Sequence, residues 1–567
     1  MNIKLIMTIK LDQFKWVLFL SLPLVLISSY YLFLYEPQML DQKAIYDPLL
    51  KINTYSEYFT QLADGKITDL QPLRDLSLLT DIYIGRALGF TNFPLITNIF
   101  IHFLTGFFIF LCLQKFTNKK RSGIISFVYL THPAIFQAFH EFTARKHSLS
   151  FLLFLISYYF FQVNYFADKK SYIKSLFFYS LSLFAQPINA ATPLFFFCHK
   201  NIPPKITRKN ILLGTPFIVM IALTGWANVY YYQLTNQGFE IPIPFKHEID
   251  HLILGINLYF RQLFLPISFS YYYKFENLFN IITVFINGLI GCIAYLNYKK
   301  ISPQNKRTIK LGLILLLSIF ATLYIPKTNI LNSVFQNYYL YTPAFAIIII
   351  IIGYQDYLSK IPFKKYLLIF YSILAVSLNT YHVKPRKDFM SLMKHFSKTE
   401  DTCIIFQMLS TNTLERGNKK EFIQYSKEWL DRRCIVVADQ YNYARVLINS
   451  FLIIYSDDFK YNEKRDLFIQ KFPRPYDYIS VMAILSFEEG LRGVALEYLE
   501  KLKEFDEPSL FLTMTNYIKE FKKVCNEQVS SEEQQCKTFE EYLKRIEGKR
   551  TSIFYRKKID LTLPDNE

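Results

Sequence analysis

YEPQMLDQKAIYDPLLKINTYSEYFTQLADGKITDLQPLRDLSLLTDIYIGRALGFTN, residues 35–92, decides how the rest of the chain is read. It separates the first long apolar run, Trp16–Tyr35, from the next and carries Glu36, Asp41, Asp47, Glu57, Asp64, Asp69, Asp75 and Asp81. Those are eight of the sixteen acidic residues before Val383. Carboxylates gathered in one loop beside apolar helix ends are acid/base groups within reach of a lipid-linked substrate. Inside the loop, Ser56–Ala63 and Leu73–Leu88 have apolar residues at helical spacing. Two short amphipathic helices along a membrane surface would bury that face in the interface and roof a cavity.

Outward from this loop the chain reads as a polytopic membrane protein. Of its 567 residues 51% are hydrophobic and 18% aromatic, with 42 Tyr and 55 Phe, well above an ordinary soluble domain. Trp16–Tyr35 follows Lys4, Lys10 and Lys15, has about 20 residues, enough to cross a bilayer, and lacks a small-residue cleavage site. It reads as an uncleaved anchor with a cytoplasmic N-terminus. Further apolar stretches follow at 95–114, 122–139, 148–166, 173–187, 188–199, 211–231, 277–297, 309–325, 338–353 and 364–381. That makes eleven spans, or ten if the pair around Pro187 is one broken helix.

The net charge of +18 invites a nucleic-acid reading, but its distribution excludes one. From Val383 onward 31 Lys and Arg face 30 Asp and Glu, so nearly all of the excess lies among the apolar stretches. The loops assigned to the cytoplasm, 1–15, 115–122, 166–174, 199–211, 298–310 and 354–365, hold 22 of the 33 basic residues before Val383, the sorting expected of a bacterial inner-membrane protein. With eleven spans the chain beyond Tyr381 is exterior (periplasmic); a single span at Pro187 reverses that.

Residues 1–381 therefore form the membrane domain, with 35–92 as first external loop, and 382–567 a charged, soluble helical domain. Within the latter, 476–490 and 494–506 read as an antiparallel helical hairpin. Ala495, Tyr498, Leu499 and the Asp506-Glu507-Pro508 end suit one tetratricopeptide-like repeat, a surface for an acceptor protein. Cys403, Cys434, Cys525 and Cys536 are disulfide candidates if that domain is exterior, with three connectivities open. Cys112, Cys198 and Cys292 read as small apolar residues of the spans. His132, His140, His147 and Glu141 lack the spacing of a zinc site, and no metal is expected. No phosphate-cradling glycine loop or nucleophile elbow is present.

The segment Thr131-His-Pro-Ala-Ile-Phe-Gln-Ala-Phe-His-Glu-Phe-Thr-Ala-Arg145-Lys146-His-Ser-Leu resembles the His-Pro…Arg-Lys signature of the transmembrane and tetratricopeptide-repeat O-mannosyltransferases and their bacterial relatives, polytopic enzymes of the GT-C fold. Similar pieces follow the family's order: Gln71-Pro72-Leu73, Asn98…His102, Ala185-Gln186-Pro187…Pro193, Tyr259-Arg261…Pro266…Tyr271 and Tyr339-Leu-Tyr-Thr-Pro343. The resemblance covers about residues 15–355. It implies an all-α GT-C protein that moves a mannose-like sugar from a polyprenyl-phosphate donor to a protein or glycan hydroxyl at the exterior face. A carboxylate of the first external loop is then the general base, Glu36 first and Asp41 next. Arg145 and Lys146 are the donor-phosphate contacts, Arg261 joins them by its guanidinium fork, and His132 and Gln71 belong to the substrate site. Interfacial snorkelling is the plain alternative for the cations.

The departures are as informative. Glu36-Pro37 stands where the family has an acidic pair, and Gln137, His147, Gln186 and Tyr338 stand at family positions that carry a charge. Each change keeps bulk or hydrogen bonding and alters a charge. The alternative is thus a catalytically inactive relative, a membrane scaffold presenting the helical domain; a secondary transporter, which needs two similar halves, is weaker.

Overall fold

The computed structural model describes residues 3–34, 45–67, 69–164, 169–197, 208–234, 256–264, 266, 278–324, 340–358, 364–387, 389–399 and scattered positions between 405 and 428. Glu36, Asp41, Tyr338, Cys403, Cys434, Cys525, Cys536 and the hairpin at 476–506 lie outside the described residues. The chain divides into two compact units, 1–401 and 402–567, and every element named below belongs to the first.

The protein is all-α, with no strand among the described residues. In chain order the α-helices are α1 (Ile3–Leu34), α2 (Asp47–Leu50), α3 (Tyr55–Ala63), α4 (Pro72–Leu88), α5 (Phe93–Leu113), α6 (Lys119–Thr131), α7 (Pro133–His140), α8 (Arg145–Asn164) and α9 (Lys169–Ala185). There follow α10 (Pro193–Phe197), α11 (Arg208–Leu234), α12 (256–264), α13 (Leu278–Tyr298), α14 (Pro303–Tyr324), α15 (Tyr341–Gly353), α16 (Gln355–Leu358), α17 (Lys364–Val383) and α18 (Phe389–Thr399). α5 is central, packing on α1, α6, α7 and α8, while α1 also meets α17, α8 meets α9, and α14 meets α15.

Small residues set the closest crossings. Ser150 and Ser182 donate to each other's backbone carbonyls at 2.9 and 2.7 Å, and Ser157 donates to the Ser175 carbonyl at 2.7 Å, so α8 and α9 are joined by hydroxyls at near-backbone distance. α14 reaches α15 at Gly312, where a Cβ would stand 2.9 Å from the Ala346 carbonyl oxygen; only glycine permits that approach. Phe154 and Tyr158 of α8 and Phe195 and Phe196 of α10 pack together with centroids 4.6–6.3 Å apart, filling volume with rings.

Helix punctuation in the loop follows the sequence. Thr54 caps α3 by accepting from the Glu57 amide, while the Glu57 carboxylate accepts from the Asn53 amide, a capping-box variant. Pro72 opens α4, and Gly89, at φ 64°, ends it in the left-handed conformation that glycine adopts without strain. Helices thus form where the loop's apolar spacing expects them.

Proline interrupts two of the apolar stretches. The stretch 122–139 is two helices broken at His132-Pro133, since Pro133 has no amide to continue α6. α9 likewise stops at Ala185, followed by a 3-10 turn at Pro187–Asn189 and the short α10.

Two helical segments among the described residues, Phe93–Leu113 and Leu212–Tyr231, are long and apolar enough to cross a membrane, and Phe14–Tyr30, Ile282–Tyr298, Tyr341–Gly353 and Ile369–Val383 are shorter apolar helices. Large apolar side chains face outward on several of them. Phe19 on α1 is 77% exposed, Trp226 on α11 68% and Phe285 on α13 75%.

Candidate functional site

The loop docks onto the first turns of α5 and α8 through two ion-pair clusters. α4 is amphipathic, yet its buried face includes Arg74, Asp75 and Asp81 beside Leu78, Leu79 and Ile82. Charges on a buried helix face need partners, and here they find them.

In the first cluster Arg74, fully buried, donates from Nε to Asp75 at 2.7 Å and from its two terminal nitrogens to both Asp69 oxygens at 3.0 and 2.6 Å. A further bond, 3.2 Å long, goes to the Gln71 amide oxygen. Tyr58 Oη donates to the other Asp75 oxygen at 3.0 Å, tying α3 to α4. Lys146 lies 4.0 Å from Asp69 with its side chain 11% exposed. Burial pushes the Asp75 carboxyl up to about 6 against the pull of the Arg74 charge. Burial works against the Arg74 guanidinium, but Asp69 and Asp75 outweigh it and hold it above its ordinary value. The Tyr58 phenol is raised by burial and by Asp75.

In the second cluster Arg145, at the start of α8, meets Asp81 of α4 at 2.5 Å. It donates to Asn98 Oδ1 at 2.6 Å, the Pro94 carbonyl at 2.8 Å and Ser77 Oγ at 3.3 Å. Thr97 Oγ1 donates to the other Asp81 oxygen at 2.8 Å, and Asn98 passes the network on to the Phe139 carbonyl at 2.9 Å. Burial raises the Asp81 carboxyl while Arg145 opposes it.

A third group surrounds the His132-Pro133 break. The freed carbonyls there are taken by side chains of other helices: Tyr371 Oη donates to Val128 at 3.1 Å, His102 Nε2 to Leu130 at 2.9 Å and Asn379 Nδ2 to Thr131 at 3.2 Å. His102 Nδ1 then accepts from Tyr341 Oη at 2.5 Å, and Tyr129 Oη donates to the Tyr341 carbonyl at 2.8 Å. His132 accepts from the Ala134 amide at Nδ1, 3.2 Å, and donates from Nε2 to the Leu263 carbonyl at 2.8 Å. Both of its nitrogens are used as a helix cap and as a tie to α12. Arg261 is buried on that same α12, which Asn257 links to Thr283 of α13 at 3.0 Å.

The expected site residues thus fall into two places. Gln71, Arg145 and Lys146 gather at the docked loop, whereas His132 bonds to α12, the helix that carries Arg261. Arg145 differs from the expectation of an open phosphate contact: its guanidinium is spent on Asp81, Asn98, Ser77 and Pro94, and Lys146 is the cation at the rim. His132 is likewise committed to backbone partners. Arg74 and Tyr58 were not singled out from sequence, although charges at positions 74, 75 and 81, spaced to share the apolar face of α4, are the signal that marks them. Among the described residues no group of three or more His, Cys, Asp or Glu is arranged to hold a metal.

What the geometry defines is a helical protein whose acidic first loop is locked to two apolar helices by buried ion pairs. No protein-family model matches the chain, and no solved structure matches it significantly. It is similar to an uncharacterized protein of Aquifex aeolicus (strain VF5), 24% identical over 265 residues, which cover 44% of this chain and 52% of that protein. The match therefore spans about half of the relative's length.

Proposed function

We propose that the chain is a polytopic membrane glycosyltransferase of GT-C type that moves a sugar from a polyprenyl-phosphate donor to a protein or glycan hydroxyl. The observation that carries this reading is the docked loop: an acidic segment held rigidly at the ends of bilayer-length helices, with Lys146 at its rim beside Asp69. Preorganised charge at a fixed position is what phosphate recognition and leaving-group stabilisation need. Lys146 takes the donor phosphate in this scheme, Asp69 orients it, and Arg145 holds the helix that carries it. Glu36, with Asp41 second, remains the base, because Asp69, Asp75 and Asp81 are held in ion pairs by Arg74 and Arg145 and are not presented to an acceptor hydroxyl. The membrane setting is supported by the outward apolar side chains of α1, α11 and α13 and by the length of α5. Its 21 residues extend about 31 Å at 1.5 Å per residue, close to a hydrocarbon core of about 30 Å.

One observation favours a second reading, the inactive scaffold: Asp69, Asp75 and Asp81, the carboxylates of the docked loop that face the helix ends, are all in ion pairs. Comparing glycans and lipid-linked sugars in cells with the native chain, a deletion, Glu36→Gln and Lys146→Gln separates the two. Transfer predicts that the deletion and both variants lose the same glycan while the variant proteins remain present at native level. Native glycans in the deletion would refute transfer and leave the scaffold.

A further inference from the structure

The opposite end of α5 carries a feature that the loop chemistry does not use. Segment 115–122 has four cations and no acid, and segment 298–310 has five cations and no acid. They are far apart in sequence, yet Gln355 joins them. Its Oε1 accepts from Arg121 at 2.8 Å and from Thr117 Oγ1 at 3.1 Å, while its Nε2 donates to Asn305 at 3.4 Å. The only carboxylate that α16 brings, Asp356, accepts from Asn305 Nδ2 at 2.7 Å. Lys119, Lys120, Lys299 and Lys300 are exposed around this knot.

The rim of the patch is apolar. Tyr295 and Leu296 near the end of α13, each 69% exposed, come shortly before Lys299 and Lys300 in the turn that follows, and exposed Leu313 and Leu317 of α14 follow Lys310. A partner must therefore offer negative charge to the loops and hydrocarbon to the helix sides together. A nucleic acid or an acidic peptide meets only the first demand. A phospholipid with an anionic headgroup meets both, and each basic residue held near such headgroups contributes favourably in a salt-dependent way.

We propose that the surface built by 115–122, 298–310 and Gln355 is a binding site for the headgroups of anionic phospholipids in the bilayer leaflet on that side. It rests on the membrane reading above but not on sugar transfer. Two kinds of charge arrangement, one buried and paired and one exposed and unbalanced, then cap the same helix.

The test uses the full chain purified in detergent. Native mass spectrometry counts retained lipid, and thermal unfolding is followed with added phosphatidylglycerol, cardiolipin or phosphatidylcholine. The expected result is retention of the two anionic lipids and a higher Tm with them, but not with phosphatidylcholine. Both effects should weaken at high salt. Lys119→Gln/Lys120→Gln/Lys299→Gln/Lys300→Gln weakens anionic-lipid binding by at least about tenfold, and Gln355→Ala weakens it with every cation still present. Lys66→Gln, in the acidic loop, leaves it unchanged. Equal retention of phosphatidylcholine, or native-like anionic binding by the fourfold variant, overturns the site; so does tight capture of an acidic protein in place of lipid. Carbonate extraction of cell membranes separates the premises: a chain released by the wash refutes the membrane reading itself, whereas a retained chain without anionic preference refutes only this site.

Discussion

At the Phe93 end of α5, Arg74 is buried against Asp75 and Arg145 against Asp81, each charge with a partner. At the Leu113 end the cations of 115–122 and 298–310 stand at the surface around a single glutamine knot. The difference is one of purpose expressed in dielectric. A buried pair is costly to desolvate and unforgiving of a missing partner, so it fixes geometry; an exposed cation is weakly coupled to its neighbours and open to an outside anion. The first end is built to hold a loop still, and the second to meet something charged.

Breaking that contrast starts with its largest expected effect. Arg145→Met strands Asp81 in an apolar setting and should cost about 3–5 kcal/mol, read as a large drop in unfolding midpoint or in folded yield. Adding Asp81→Leu should recover much of the loss, because the apolar pair leaves no buried charge. Equal instability of single and double variants would mean that the pair is not what fixes α4 to α8.

A pH titration sharpens the same end. Asp75 has a folded value of about 6 against 3.8 in an unfolded chain, so between those limits the native state holds more protons than the unfolded one. Stability from this group therefore rises as pH falls toward about 4 and is lost as pH climbs through about 6. Unfolding midpoints of the native chain and Asp75→Asn should diverge across that window, the variant being flatter; parallel profiles would contradict the buried setting of Asp75.

Smaller effects come from backbone and surface. Gly89→Ala forces a side chain into a φ of 64° and should cost about 1 kcal/mol, visible as a modest fall in midpoint. At the basic end Lys119→Gln or Lys120→Gln should stay within about 0.5 kcal/mol in lipid-free detergent, since each is exposed. A loss comparable to that of Arg145→Met would erase the distinction between the ends.

Local rules made much of this legible in sequence, and long-range pairing hid the rest. The helices at Tyr55–Ala63 and Pro72–Leu88 follow from apolar spacing, a capping threonine and a terminal glycine. The break at His132-Pro133 lay in plain view but hydropathy averages over it, so one apolar stretch proved to be two helices whose freed carbonyls His102, Tyr371 and Asn379 satisfy. Arg145 read as an outward cation because nothing in its neighbourhood announces Asp81, which comes from a different helix. Gln355 carries no sequence signal at all; its meaning lies in joining two basic segments that the fold brings together. Asp69 and Lys146 were each visible, but not their meeting.

The central claim is that the two ends of α5 lie on opposite faces of a membrane. Single cysteines at Lys66 and at Lys119, in a chain otherwise free of cysteine, test it with a membrane-impermeant maleimide on intact and permeabilised cells. The account predicts labelling at 66 from outside and at 119 only after permeabilisation. Labelling of both positions from the same side would contradict it.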